Sequence, residues 1–272
     1  MEKESILIKN IKCLVTCDEK DHVFTNVNMY VEKGKISYIG SESRKAKKII
    51  DGTHFVVYPG LINTHHHLYQ IFSRNLPEVQ HMELFPWLRY LYEIWKNIDE
   101  TTIYYATLIG AGELMKNGCT TCFDHHYVFP ENGKHLIESQ FEAANKLGIR
   151  FHASRGSMDL SQKDGGLPPD TVVQTTSEII KDSQRLIERY HDVSEGSMRQ
   201  IALAPCSPFS VSEDLMKESQ QLARGFGVRL HTHLAETRDE ECYMMDKMGM
   251  RPLEYMEKLD WLGSDVWFAH GI

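Results

Sequence analysis

From Val56 to its end the chain repeats one pattern, a short apolar run followed by an amphipathic stretch, and this repetition narrows its fold more than any other feature. Strand-length apolar runs alternating with helical patterns of roughly 10–15 residues signal βα units and a parallel sheet. Strands are expected to end near Asn63, Asp124, Ser154, Pro205, His233 and His270. Helices are expected at about Glu83 to Asn97, Glu100 to Lys116, Lys134 to Leu147, Ser177 to Tyr190, Ser212 to Phe226 and Glu240 to Leu259. Six such strands, with no reversal of strand order readable, suit a (β/α)8 barrel at least as well as a doubly wound sheet, and fall short of the eight that close one. The expected class is α/β over residues 56–272, with an incomplete TIM-type barrel and a doubly wound sheet both open on this pattern. Ahead of it, Ser5 to Val15, Thr25 to Glu32 and Lys35 to Ile39 alternate apolar with polar and turn at Glu32-Lys33-Gly34. Residues 1–55 are therefore expected to form a small β domain.

With 272 residues, 42% of them hydrophobic, the chain can bury a large core. Its 30 basic and 38 acidic residues leave a net charge of −8, and the Arg44 to Lys48 cluster is the longest basic run, so a nucleic-acid partner is not expected. The amino terminus leads into an alternating segment, and no run approaches the roughly 18 apolar residues of a membrane span. A soluble, cytoplasmic protein without a membrane partner is the expectation; the sequence is compatible with a homo-oligomer and does not fix the state. Six cysteines, at 13, 17, 119, 122, 206 and 242, show no disulfide-framework spacing, in keeping with a reducing compartment. The Cys119-Thr-Thr-Cys122 pair sits in a short apolar strand, where residues three apart face opposite ways and cannot chelate one ion. Gly110-Ala-Gly112 lies inside an amphipathic helical pattern and lacks the third glycine of a dinucleotide fingerprint, so helix packing accounts for it. The stretch from Gly156 to Thr171, with Gly165-Gly166 and Pro168-Pro169, reads as a long βα loop, and in a barrel such loops roof the active site.

The fourteen histidines carry the chemistry through their placement. His65, His66, His67, His125, His126, His152, His231, His233 and His270 all fall at or just past expected strand ends, hence on one rim. A lone histidine there is more often a satisfied core residue. In Asn63-Thr-His65-His66-His67, however, the two-residue period turns His65 and His67 to one face, where two imidazoles can share a divalent metal. A second pair, His231 and His233, precedes Glu236. Hydrolysis at a metal needs neutral imidazoles to hold the ion and a nearby carboxylate, itself no ligand, to carry protons. Glu236 suits that second task, and His270 could orient the bound water.

Three segments, Val57-Tyr-Pro-Gly-Leu-Ile-Asn-Thr-His-His-His67, His231-Thr-His-Leu-Ala-Glu236 and Phe268-Ala-His270, resemble successive signatures of the amidohydrolase superfamily. Gln70, Glu83-Leu-Phe-Pro-Trp-Leu88, His152-Ala-Ser-Arg-Gly156, Asp164-Gly-Gly-Leu-Pro-Pro169 and Ala204-Pro-Cys-Ser-Pro-Phe209 are similar to its branch that deaminates 8-oxoguanine, isocytosine or triazines. The resemblance implies a (β/α)8 barrel, residues 56–272, beside a β-sandwich to which residues 1–55 contribute. It implies His65, His67 and His233 as metal ligands, Glu236 as acid/base and His270 as the sixth-strand catalytic histidine. The fourth family ligand, an aspartate ending the eighth strand, has no counterpart, because the sequence stops two residues after His270. The carboxylated lysine of binuclear relatives is missing from Ile201-Ala-Leu-Ala-Pro-Cys-Ser207, so one divalent metal is implied, zinc foremost and iron also suited.

The implied reaction is hydrolytic deamination of a small purine-like heterocycle, 8-oxoguanine to urate and ammonia, with isocytosine or a substituted triazine as the alternative substrate. A non-catalytic, metal-binding remnant is the alternative of another class. Gln70 and Arg155 would hydrogen-bond the heterocycle and Trp87 would wall it. For Arg155 a structural ion pair is the competing expectation, and for Trp87 core packing. Without its last strands the 272-residue chain is expected to be a weak catalyst and poorly soluble.

Overall fold

The structure, a computed structural model, describes residues 5–131 and 133–272. It divides into two compact units, Met1–Leu61 and Ile62–Ile272. The first is a five-stranded mixed sheet of β1 (Ile6–Val15), β2 (Val23–Glu32), β3 (Lys35–Gly40), β4 (Lys48–Asp51) and β5 (Val56–Val57). β1 to β3 run antiparallel, the β2–β3 hairpin closing with Glu32 opposite Lys35, whereas β4 and β5 lie parallel to β1. Ile11, Leu14 and Met29 form its small core.

The larger unit alternates strand and helix. β6 (Leu61–Asn63) precedes α1 (Leu84–Trp95) and α2 (Glu100–Lys116); β7 (Cys119–Asp124) precedes α3 (Leu136–Leu147); β8 (Arg150–Ser157) precedes α4 (Thr176–Tyr190). β9 (Arg199–Pro205) and α5 (Glu213–Phe226) follow, then β10 (Arg229–Leu234), α6 (Arg238–Met248), α7 (Pro252–Lys258) and β11 (Val266–His270). The six strands form one curled parallel sheet, a half-barrel, in the order β11-β10-β9-β8-β7-β6. Spatial order thus follows chain order, as in a (β/α)8 barrel and unlike a doubly wound sheet.

The strand sequences explain this arrangement. The last five residues of β9 and of β10 are all buried, because a parallel sheet carrying helices must hide both faces. In α4 the buried positions Ile179, Ser183, Leu186 and Ile187 recur at helical spacing. Its start is fixed by a capping box, Thr175 with Glu178, and those of α2 and α5 by Asp99 and Ser212. Phe151, Leu203, Leu230 and Leu215 are at most 1% exposed in the core between sheet and helices, where full burial of such a side chain is worth about 1.5–3 kcal/mol.

Two expectations are corrected. Glu240 to Leu259 is two helices, because Gly249, at φ 66°, ends α6 in a left-handed turn and Pro252 opens α7. β8 runs on to Ser157, so His152 pairs with Phe123 well inside the strand and is absent from the rim. Gly110 packs against Leu68, as an added Cβ would stand 2.5 Å from the Leu68 Cδ2, which is a helix-packing role. The cysteines of β7 are free and buried.

Candidate metal centre

The ends of β6, β7, β9 and β10 are tied together by backbone and carboxylate bonds that place four histidines face to face. The His125 amide donates to the His66 carbonyl at 2.7 Å, and the Leu68 amide donates to Asp124 at 2.6 Å. Asp124 is fully buried and accepts a second bond from Gln140; burial lifts its carboxyl to about 7. These bonds swing His65 and His67, just past β6, toward His233 on β10. His65, His67, His125 and His233 offer ring nitrogens that all lie within 4.8 Å of one another.

Hydrogen bonding decides which nitrogens face the centre. His67 Nδ1 stands 2.7 Å from the His125 carbonyl, and His233 Nδ1 stands 2.6 Å from that of Cys206. A carbonyl only accepts, so each Nδ1 carries the proton and each Nε2 presents a lone pair. The two Nε2 atoms are 3.0 Å apart, and His65 Nε2 lies 3.2 Å from that of His67. Lone pairs at this distance cannot satisfy one another, and a shared cation can. The spacing is near the roughly 3.3 Å expected between two nitrogens held at about 2.0–2.1 Å in a tetrahedral site. Burial, reinforced by the neighbouring imidazoles, pulls His65 down to about 4 and His233 to about 3, and holds His67 and His125 well below the usual range. All four are neutral at pH 7, the form that ligates a metal. The residues present therefore fit a divalent ion.

Beside the cluster is a cavity of about 230 Å3 lined by His65, His67, Gln70, Leu84, Trp87, Leu88, Tyr127, Cys206, Phe209, His233, Glu236 and His270. Glu236 enters it because Ala235, at φ 51°, turns the chain back at the end of β10. The buried Glu240 at the start of α6 holds that turn, accepting from the amides of Ala235 (3.1 Å) and Glu236 (2.7 Å). Burial, and then the Glu240 charge, lifts the Glu236 carboxyl to about 7. Its Oε1 lies 3.6 Å from His270 Nε2, and the His270 ring stacks on His233 with centroids 5.5 Å apart. A group poised near neutrality, next to a metal-competent cluster and a cavity of heterocycle size, can move protons in hydrolysis. A larger cleft, about 650 Å3, is lined by Lys134, Lys181, Arg185, Glu178 and Asp182 among others and holds no histidine, so it lacks this donor set.

Residues 56–272 match the amidohydrolase family over most of the chain's length. The chain belongs to the amidohydrolase family. This amidohydrolase is 45% identical over 248 residues, 90% of its own length and 55% of the relative's, to an 8-oxoguanine deaminase of Pseudomonas aeruginosa. It is 38% identical, over 95% of its length and 56% of the relative's, to a hydroxydechloroatrazine ethylaminohydrolase of a Pseudomonas species. Among solved structures it resembles an atrazine chlorohydrolase of Arthrobacter aurescens complexed with zinc, with a TM-score of 0.93, 30% identity, and coverage of 98% of this chain and 61% of that one. The chain thus spans rather more than half the length of the relatives it matches.

Within the amidohydrolase the structure gathers His65, His67, His233, Glu236, His270, Gln70 and Trp87 around one cavity. Trp87 also packs edge-on against Trp95, so wall and core roles coincide. Arg155 is the correction: it does not line the cavity and is 1% exposed. Its guanidinium pairs with Asp182 at 2.7 Å, donates to Gln174 and the Gly156 carbonyl, and lies 3.8 Å over the Phe129 ring. Each of its three nitrogens bonds to the scaffold, which leaves the ion-pair alternative. The Gly156 to Thr171 loop also fails to roof this cavity; its Met158 and Leu167 pack into the core. His66 and His126 are not among the clustered donors, and His126 packs against Phe129 and Tyr69. The fourth histidine of the cluster, His125, was noted in the sequence only as a strand-end residue, and its tie to His233, a stacked contact at 4.5 Å, joins residues far apart in the chain.

Proposed function

We propose that the full-length protein is a metal-dependent deaminase that converts 8-oxoguanine and water to urate and ammonia, with His65, His67 and His233 holding one divalent ion, zinc foremost. The observation that carries this reading is the convergence of imidazole lone pairs beside a carboxylate lifted to about 7. The ion, when bound, would polarise a water and stabilise charge on the attacked carbon's substituents. Glu236 takes the water's proton and gives it to the ring nitrogen as the C–O bond forms, then carries the proton of the added hydroxyl to the amine, so that the C–N bond breaks and a carbonyl and ammonia result. His270, 3.6 Å from Glu236, orients the water, Gln70 hydrogen-bonds the heterocycle's edge, and Trp87 covers one side of the ring. The 45% identity to an 8-oxoguanine deaminase supports the purine-like substrate. A triazine amine is the second reading, favoured by the 38% identical ethylaminohydrolase.

Residues 56–272 would form the amidohydrolase barrel portion and residues 1–55 the β-sandwich portion of the cytoplasmic enzyme. Urate formation from 8-oxoguanine should be measured for the 272-residue chain and for a version carried through the remaining barrel strands, with isocytosine and an aminotriazine in parallel. The longer version is expected to turn over 8-oxoguanine best and the 272-residue chain to be much slower. Preference for the triazine would overturn the substrate assignment, and equal turnover by both chains would show that no later residue completes the site.

A further inference from the structure

We infer that His231, which adds no atom to the cavity wall, is a positioning residue that fixes the tautomer of His65 and so aims its Nε2 lone pair at the metal. The inference rests on the metal reading proposed above. His231 is fully buried on β10 and lies in register with Trp267 on β11. Its Nδ1 is 2.8 Å from the Trp267 carbonyl oxygen, which can only accept, so that nitrogen carries the proton. A neutral imidazole has one N–H, hence Nε2 of His231 is an acceptor. That acceptor is 2.8 Å from His65 Nδ1, which must therefore donate. The proton of His65 is thereby held on Nδ1 and its Nε2 is left bare, 3.2 Å from His67 Nε2. The relay runs His65 to His231 to a backbone carbonyl; His67 and His233 reach their carbonyls in one step.

The surroundings hold the relay in place. The Trp267 indole stacks on the His231 ring at 4.5 Å, and the Phe123 ring meets it edge-on at 5.0 Å. Trp267 Nε1 in turn donates to the Thr64 carbonyl, the peptide that leads into His65. One residue of β11 thus grips the His65 side chain through His231 and its backbone directly. Metal-ligating histidines usually give their second N–H to a carboxylate, a carbonyl or a water, and loss of that partner costs about 10–100-fold in metal affinity or activity. In this fold a second histidine stands in that place.

Zinc affinity should be measured by chelator competition for the parent chain, His231→Gln and His231→Leu, with circular dichroism to report folding. Imidazole 15N spectra of the metal-free parent give the tautomers directly. The glutamine amide oxygen can accept where Nε2 stood, whereas leucine cannot. The expected result is protonation of both His65 and His231 on Nδ1, a loss of about 10–100-fold in zinc affinity for His231→Leu, and near-parent affinity for His231→Gln. Parent-like affinity in a folded His231→Leu, or an equal loss in a folded His231→Gln, would overturn the inference. Should either variant not fold, the spectra of the parent decide, and a proton on Nε2 of His65 overturns it. A parent chain that binds no zinc would instead overturn the metal reading, and the inference with it.

Discussion

At the scale of single residues, Glu236 has the clearest assignment. Its carboxyl, lifted to about 7 by burial and by Glu240, faces the cavity without being one of the clustered donors. Glu236→Gln should leave metal content unchanged and lower kcat/KM of the full-length enzyme by about 10²–10⁴, the span for a general acid or base. The parent's kcat/KM should rise with pH through about 7, as the carboxylate form becomes available. Loss of the metal in Glu236→Gln, read by elemental analysis, would make Glu236 a ligand. The histidine pairs were legible because two-residue spacing at a strand end has few readings. Arg155 was legible only as a choice between substrate and ion pair, since its partner Asp182 lies on α4, 27 residues on, and nothing local marks the pairing.

At the scale of elements, close approach of backbones builds the rim. A Cβ on Gly156, at the end of β8, would lie 2.2 Å from the His126 carbonyl and 2.7 Å from the Tyr127 Cα, while the Gly156 amide donates to that same carbonyl at 3.0 Å. Gly156→Ala is therefore expected to destabilise by about 1–3 kcal/mol in denaturant titration and to disturb Tyr127, which lines the cavity. An unchanged midpoint would show that β8 yields there without cost. The βα alternation was legible because each buried strand is an apolar run and each helix carries its own stripe. The strands ending at Asn63, Asp124, Pro205 and His270 fall where the runs end. What the pattern hid was register and continuation. β8 continues past Ser154 through polar residues that are buried because they pair with β9, and the break between α6 and α7 lies in a glycine and a proline that an amphipathic reading passes over.

At the scale of the whole molecule, β6 and β11 are the end strands of the six-stranded sheet, and Leu61 and Ile62 on β6 are exposed. A sheet edge with exposed apolar residues can recruit other chains. The histidine cluster also makes stability depend on pH. His65 and His233 have folded values of about 4 and 3, below the ordinary 6.5, so between those limits the unfolded chain binds more protons than the folded one. Stability of the metal-free chain should thus fall as pH drops through this window. Glu236 and Asp124, lifted to about 7, act in the opposite sense between their ordinary carboxylate values and about 7, and the depressed histidines outnumber them. A lower Tm at pH 5 than at pH 7 is the expected melt, and a higher one would mean that the carboxyls dominate. The central claim, that His65, His67 and His233 hold one divalent ion, is tested most directly by elemental analysis of the full-length protein and of His65→Ala, His67→Ala and His233→Ala. The account predicts close to one metal per chain in the parent and its loss in each variant, and an unchanged metal content in all three would contradict it.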